Sequence, residues 1–125
     1  MPVQKREKGE ILGRKLVLKE VLGYQEGAIV SRALIDKKAG TVTLFAFDEG
    51  QGLSEHTAPY DAMVQVLDGE VEISIEGSPF HLQEGEMMVM PANKPHALRA
   101  ESQFKMMLIM IRSEDKSEQM VAEKL

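Results

Sequence analysis

The chain has 125 residues and a mass of 13.9 kDa, enough for one hydrophobic core and too little for two ordinary domains. Hydrophobic residues (43%) and charged residues (28%) exclude a disordered composition, and 20 acidic against 15 basic side chains, a net charge of −5, exclude the positive field that gathers nucleic acid. The absence of cysteine excludes disulfides, thiolate metal sites, iron–sulfur clusters and cysteine nucleophiles, so a metal ion must be held by histidine and oxygen.

Residues 1–10 are mostly charged or polar, lack an apolar period and read as a solvated tail. Residues 12–24 fit a short helix and an edge strand equally. After Tyr24, short runs of β-branched and large apolar side chains alternate with Gly, Pro, Asp and Asn, the rhythm of an all-β domain. Strands are predicted over 28–35, 41–47, 62–67, 71–75, 80–83, 87–90, 96–100 and 104–111, a number that suits a closed or sandwiched barrel. Asp68–Gly69 lies between two alternating runs and predicts a type I′ hairpin, since Asp-Gly supplies two residues of positive φ. Beyond it Val71, Ile73 and Ile75 share one face while Glu72 and Ser74 face away, and Val64 and Val66 are expected inward. In the last strand Phe104, Met106, Leu108 and Met110 share one parity, and Met107, Ile109 and Ile111 share the other. Both faces call for burial, so a homodimer is expected.

The longest apolar run, 106–111, is far shorter than the roughly 20 residues of a membrane helix, and no secretory apolar stretch follows the basic N-terminus. Neither membrane nor nucleic acid is an expected partner, and a cytoplasmic location is the default. Residues 112–125 read as a polar tail, frayed or weakly helical around Met120, Val121 and Leu125. No repeat or linker divides the chain. The expected organisation is an N-terminal tail and first element over 1–27, a barrel over 28–111 and a C-terminal tail over 112–125.

Strand parity sorts the three histidines. His96 shares a face with Leu98 and Ala100, opposite Arg99, and points inward. His81 alternates with Phe80 and Leu82 and falls on the solvated side, a poor position for a ligand. His56 lies in a Gly- and Pro-containing stretch whose alternation is too weak to fix its direction. Clustered methionines at 63, 87, 88, 90, 106, 107 and 110 could form a soft copper(I) site, but the expected role is to fill irregular apolar gaps. Glu70, Glu72, Glu84 and Glu86 read as solvated surface. No Ser-His-Asp spacing, P-loop or dinucleotide fingerprint occurs, so no nucleotide cofactor is expected.

Gly50, His56 and Gly69, followed by Gly85, Pro91 and His96, resemble the two motifs of the cupin superfamily, G-x5-H-x-H-x3-E-x6-G and G-x5-P-x-G-x2-H-x3-N, with fifteen residues between them. The resemblance spans about residues 28–111. It implies an all-β, cupin-type antiparallel β-barrel, a jelly-roll-like double-stranded β-helix open at one mouth, with the metal or ligand site inside. Cupin metal sites usually take three histidines and one glutamate. Here Ala58 and Ala62 stand at the second histidine and the glutamate, Asn93 at a glycine and Ala100 at the asparagine. The resemblance therefore leaves His56 and His96 as the metal pair, weakly holding one divalent transition ion (zinc, nickel, copper, manganese or iron). Tyr60 has the parity of positions 58 and 62 and is expected to enter the cavity and meet the ligand with His56 and His96, while Asp61 and Glu55 face out. Two functions follow. One is a divalent-metal protein that acts on or binds an oxygen-bearing small molecule inside the barrel; the other is a metal-free small-ligand-binding or sensing module without catalysis. Retention of both outer histidines favours the first, and Ala58 with Ala62 favours the second.

Overall fold

A computed structural model describes residues 11–113. The N-terminal tail over 1–10 and the helical tendency around Met120 lie outside the described residues. Strands β1 Ile29–Lys37, β2 Gly40–Phe47, β3 Gly52–His56, β4 Tyr60–Asp68, β5 Glu70–Ile75, β6 Ser78–Gln83, β7 Met87–Met90, β8 His96–Ala100 and β9 Phe104–Arg112 form two antiparallel sheets. One runs β1-β2-β9-β4-β7 and the other β3-β8-β5-β6, the layered all-β architecture expected of a jelly roll. Among the described residues no helix is long and apolar enough to cross a membrane.

Each predicted strand is present with its ends moved by two residues or fewer, but β3 is an addition that the sequence pattern does not predict. Four of its five residues are exposed, so this edge strand carries almost no apolar alternation to read. The undecided segment over 12–24 is neither helix nor strand apart from a 3-10 turn at Leu18–Glu20. It is tied to the barrel by side chains: the Tyr24 hydroxyl donates to Asp68 Oδ2 at 2.5 Å, and Lys105 Nζ donates to the Lys19 carbonyl at 2.6 Å. The Lys105 ammonium also sits 4.9 Å from the centre of the Tyr24 ring, within cation–π range.

The Asp68–Gly69 hairpin is a correction. β4 pairs with β7 and β9 while β5 pairs with β6 and β8, so this step carries the chain from one sheet to the other. A type I′ turn needs two successive residues of positive φ, and here Gly69 alone has one, 77°. The turn of that kind joins Ile75 to Ser78 instead, through Glu76 (φ 51°) and Gly77 (φ 83°). Gly69 answers a second demand, because a Cβ there would collide with the Gln103 carbonyl oxygen and stand 2.8 Å from Phe104 Cα.

Inward parity is as read: Val64, Val66, Val71 and Ile73 are fully buried. The interior tapers along the strands. Phe47 and Phe104 stack with ring centres 4.7 Å apart and, with Val66, Val71 and Ala100, fill the end near the Gly69 corner. At the opposite strand ends lie Tyr60, Ala62, His96 and Met110, and there the interior opens.

Gly69→Ala and Gly77→Ala separate close approach from backbone conformation. A Cβ added at Gly77 would meet nothing within 4 Å, so its replacement is expected to lose about 1–2 kcal/mol from positive φ alone. Gly69→Ala adds a backbone collision and is expected to lose about 2–5 kcal/mol in urea unfolding. Equal losses would contradict the corner packing.

Candidate functional site

The site forms where the edge strand β3 meets β8. Gly52 lies opposite Arg99 and Leu53 opposite Leu98, but the next pair is His56 with His96. Three steps along β3 thus match two along β8, so one extra residue is accommodated within Ser54–Glu55, a β-bulge. Without it the period of two would place His56 on the face opposite Leu53; with it both side chains reach the interior. Beyond β3 the alternation resumes through Ala58, Tyr60 and Ala62, all of which line the same cavity.

The two imidazoles meet edge to face with centres 4.4 Å apart. His96 is buried, 6% exposed, whereas His56 stands exposed at the mouth. Each ring directs Nδ1 at a backbone carbonyl two residues upstream: His56 at Ser54 (2.8 Å) and His96 at Lys94 (3.1 Å). A carbonyl oxygen only accepts, so both Nδ1 atoms carry hydrogen and, in the neutral rings, both Nε2 atoms keep their lone pairs. Burial pushes the His96 pKa below the ordinary 6.5, the Lys94 carbonyl opposes that shift, and neighbouring His56 reinforces it.

The cavity is small, about 50 Å³, and opens to solvent at its mouth. Its walls are mostly apolar, with Leu53, Leu98 and Leu108 beside Met90, Met106 and Met110. Met90 and Met106 also belong to the buried core, in keeping with methionine as a filler of irregular space. Tyr60 stands at the rim, where its hydroxyl accepts a hydrogen bond from Arg112 Nη1 at 3.2 Å and its ring lies 5.6 Å from the Arg112 guanidinium carbon. Arg112 escapes the sequence reading, which ends the last strand at residue 111; its register partner is Tyr60, one further step of the same alternation. Asp61 faces away and its Oδ1 accepts the Ala92 N–H at 2.9 Å. Nearby, the Asn93 N–H donates to the Ala58 carbonyl at 2.8 Å, so the turn before β8 is pinned to the cavity rim. Asn93 keeps a positive φ of 64° where the motif has glycine, a conformation asparagine tolerates.

The donor set fits a divalent transition ion through two imidazole nitrogens, a combination suited to zinc, nickel or copper. Ala58 and Ala62 line the same cavity with methyl groups, which offer no donor to a cation. His81 lies outside this constellation, exposed on the outer face of the four-stranded sheet, where it meets Glu70 and Glu101.

Comparison with known proteins places these features in a family. The profile of the Cupin_2 family, described as a cupin domain, matches residues 43–112. A conserved protein of unknown function from Streptococcus pyogenes is 32% identical over 91% of this chain and 100% of its own, with a TM-score of 0.81. A cupin 2 conserved barrel domain protein from Leptotrichia buccalis is 48% identical over 76% of this chain with a TM-score of 0.74, and this chain spans 46% of its length. A cupin superfamily protein from Desulfitobacterium hafniense is 28% identical over 81% of this chain and 93% of its own, with a TM-score of 0.77. Among curated proteins there is no match.

The two histidine environments act on stability in different pH windows. The unfolded chain protonates His96 before the folded chain does, so stability falls as pH drops below 6.5 toward the lowered folded value. At His81 the hydrogen bond to Glu70 raises the pKa, so its contribution is full below 6.5 and is lost as pH rises through the raised value. In chelator-treated protein, His96→Ala is therefore expected to lose less stability than wild type between about pH 6.5 and 5.5, and His81→Ala to match wild type there. Urea midpoints falling in parallel for wild type and His96→Ala would contradict the buried, neutral His96.

Proposed function

The chain belongs to the cupin domain family, and from that premise we propose that it binds an oxygen-bearing small molecule inside the barrel, at a divalent transition ion held by His56 and His96. One observation carries the reading: each imidazole gives its Nδ1 hydrogen to a backbone carbonyl and keeps the Nε2 lone pair. Metal-ligating histidines almost always have such a partner on the other ring nitrogen, which fixes the tautomer and the ring's orientation. A bound ion would supply Lewis-acid polarisation of an oxygen on the ligand. The protein's own groups do the rest. The apolar wall of Leu98, Met106 and Leu108 excludes water and packs against the ligand's carbon skeleton, and Tyr60 offers its hydroxyl at the rim.

With two protein donors, the site is expected to bind metal more weakly than a complete four-ligand one. Calorimetric titration of untagged, chelator-stripped protein with zinc should show one more equivalent bound by wild type than by His56→Ala. Equal uptake would overturn the metal reading. It would favour the second one, a metal-free pocket, for which the methyl groups of Ala58 and Ala62 in the lining speak.

We also propose that the chain pairs as a homodimer through the outer face of the five-stranded sheet. Ile35, Val42, Ile109, Met63 and Val89 lie opposite one another on five adjacent strands, so one apolar row crosses that face. Ile35 and Val89 are about half exposed at its two edges, 48% and 53%, and a continuous apolar row of this kind is unusual on a monomer. Light scattering at micromolar concentration is expected to give twice the 13.9 kDa chain mass, and Ile109→Glu, at the row's centre, to give the single-chain mass. A single-chain mass for wild type would contradict the dimer.

A further inference from the structure

A second set of ligating side chains converges far from the cavity mouth, on the outer face of the four-stranded sheet. Glu70 begins β5, His81 lies on the neighbouring β6 diagonal to it, and Glu101 follows the end of β8. One ligand atom from each falls within 4.8 Å of the other two. His81 Nε2 is 3.0 Å from Glu70 Oε1 and 3.2 Å from Glu101 Oε1. Backbone bonds fix this placement: the Glu101 N–H donates to the Glu70 carbonyl at 3.1 Å, and the Glu70 N–H donates to Ser102 Oγ at 3.0 Å.

The cluster is not satisfied by its own hydrogen bonds. Nε2 carries at most one hydrogen, and its hydrogen bond goes to Glu70. Glu101 Oε1 is shut away from solvent and accepts no hydrogen bond. Its nearest cationic neighbour is the same His81 Nε2, 3.2 Å away, whose hydrogen goes to Glu70, so the oxygen lacks the hydrogen bond that buried polar atoms ordinarily have. Neighbouring charged groups are committed elsewhere: Glu72 pairs with Arg99 at 3.4 Å, and Glu86 Oε1 accepts the Gln83 N–H at 2.9 Å.

We infer that Glu70, His81 and Glu101 form a second cation site, on the outer wall of the barrel, for a first-row divalent transition ion such as zinc. Two carboxylates balance the charge of a dication, and the imidazole nitrogen selects transition ions over magnesium and calcium, which prefer all-oxygen shells. Three protein ligands leave a coordination position for water or for a donor from another molecule. An ion there ties together β5, β6 and the end of β8, and so stabilises the folded chain by mass action. The site uses neither His56 nor His96 and stands or falls independently of the cavity.

The test is calorimetric titration with zinc alone of untagged, chelator-stripped protein at about pH 8, where imidazole nitrogens are free to ligate. His81→Ala is expected to bind one equivalent fewer than wild type, whether or not the cavity takes up metal. Glu101→Gln, which keeps the fold and the size of the side chain, is expected to weaken the same event at least about tenfold, the lower end of what loss of even an outer-sphere partner costs. Excess magnesium should leave both results unchanged. Equal zinc uptake by wild type and His81→Ala would overturn the site, as would full-affinity binding by Glu101→Gln. A failure of the cavity reading would show instead as equal uptake by wild type and His56→Ala.

Discussion

The cavity depends on one extra residue in the edge strand β3. Antiparallel strands keep opposed side chains on one face, so a ligand pair can be built across β3 and β8 only if both members are in phase with the interior. Leu53 and His56 are three residues apart and could not both face inward on a regular strand. The bulge resets the phase, sets His56 opposite His96 and hands on the alternation that brings Ala58, Tyr60 and Ala62 to the same wall. Bulges are common at sheet edges and beside functional sites for this reason: they re-aim a side chain without breaking the sheet.

What the bulge aims at is made by the taper of the core. Stacked Phe47 and Phe104 close one end with large rings, while small or flexible side chains, Ala62, Met90 and Met110, leave room at the other. His96 lies at that boundary, buried enough to disfavour its charged form and close enough to the cavity to line it. Low polarity around His96 strengthens any interaction a bound group makes with its ring nitrogen. The same four-stranded sheet carries a different chemistry on its outer surface, where Glu70, His81 and Glu101 meet under a field of carboxylates. One sheet thus presents an imidazole pair inside and an acidic imidazole cluster outside.

Strand positions and faces are legible in the sequence because most strands alternate cleanly: the inward reading of His96 follows from Leu98 and Ala100, and the outward reading of His81 from Phe80 and Leu82. His56 is not legible from parity, since a bulge breaks the very period on which parity relies; the spacing of the Gly50, His56 and Gly69 motif locates it instead. The Asp68–Gly69 step misleads because a glycine with positive φ serves a hairpin and a sheet-to-sheet corner alike, and the choice is made by distant partners such as Gln103 and Phe104. Strand β3 escapes notice because an exposed edge strand buries too little to leave an apolar pattern. Glu101 cannot be joined to Glu70 and His81 from sequence, for their meeting depends on the order of β6, β5 and β8 in the sheet.

Everything proposed for the cavity turns on two backbone carbonyls that hold His56 and His96 in the tautomer leaving both Nε2 atoms free for a bound ion or ligand. Nitrogen-15 NMR of the imidazole rings in metal-free protein, at a pH where the rings are neutral, reads the tautomers directly. Protonated Nδ1 and bare Nε2 are expected for both residues. A protonated Nε2 with a bare Nδ1 in either ring would contradict the arrangement.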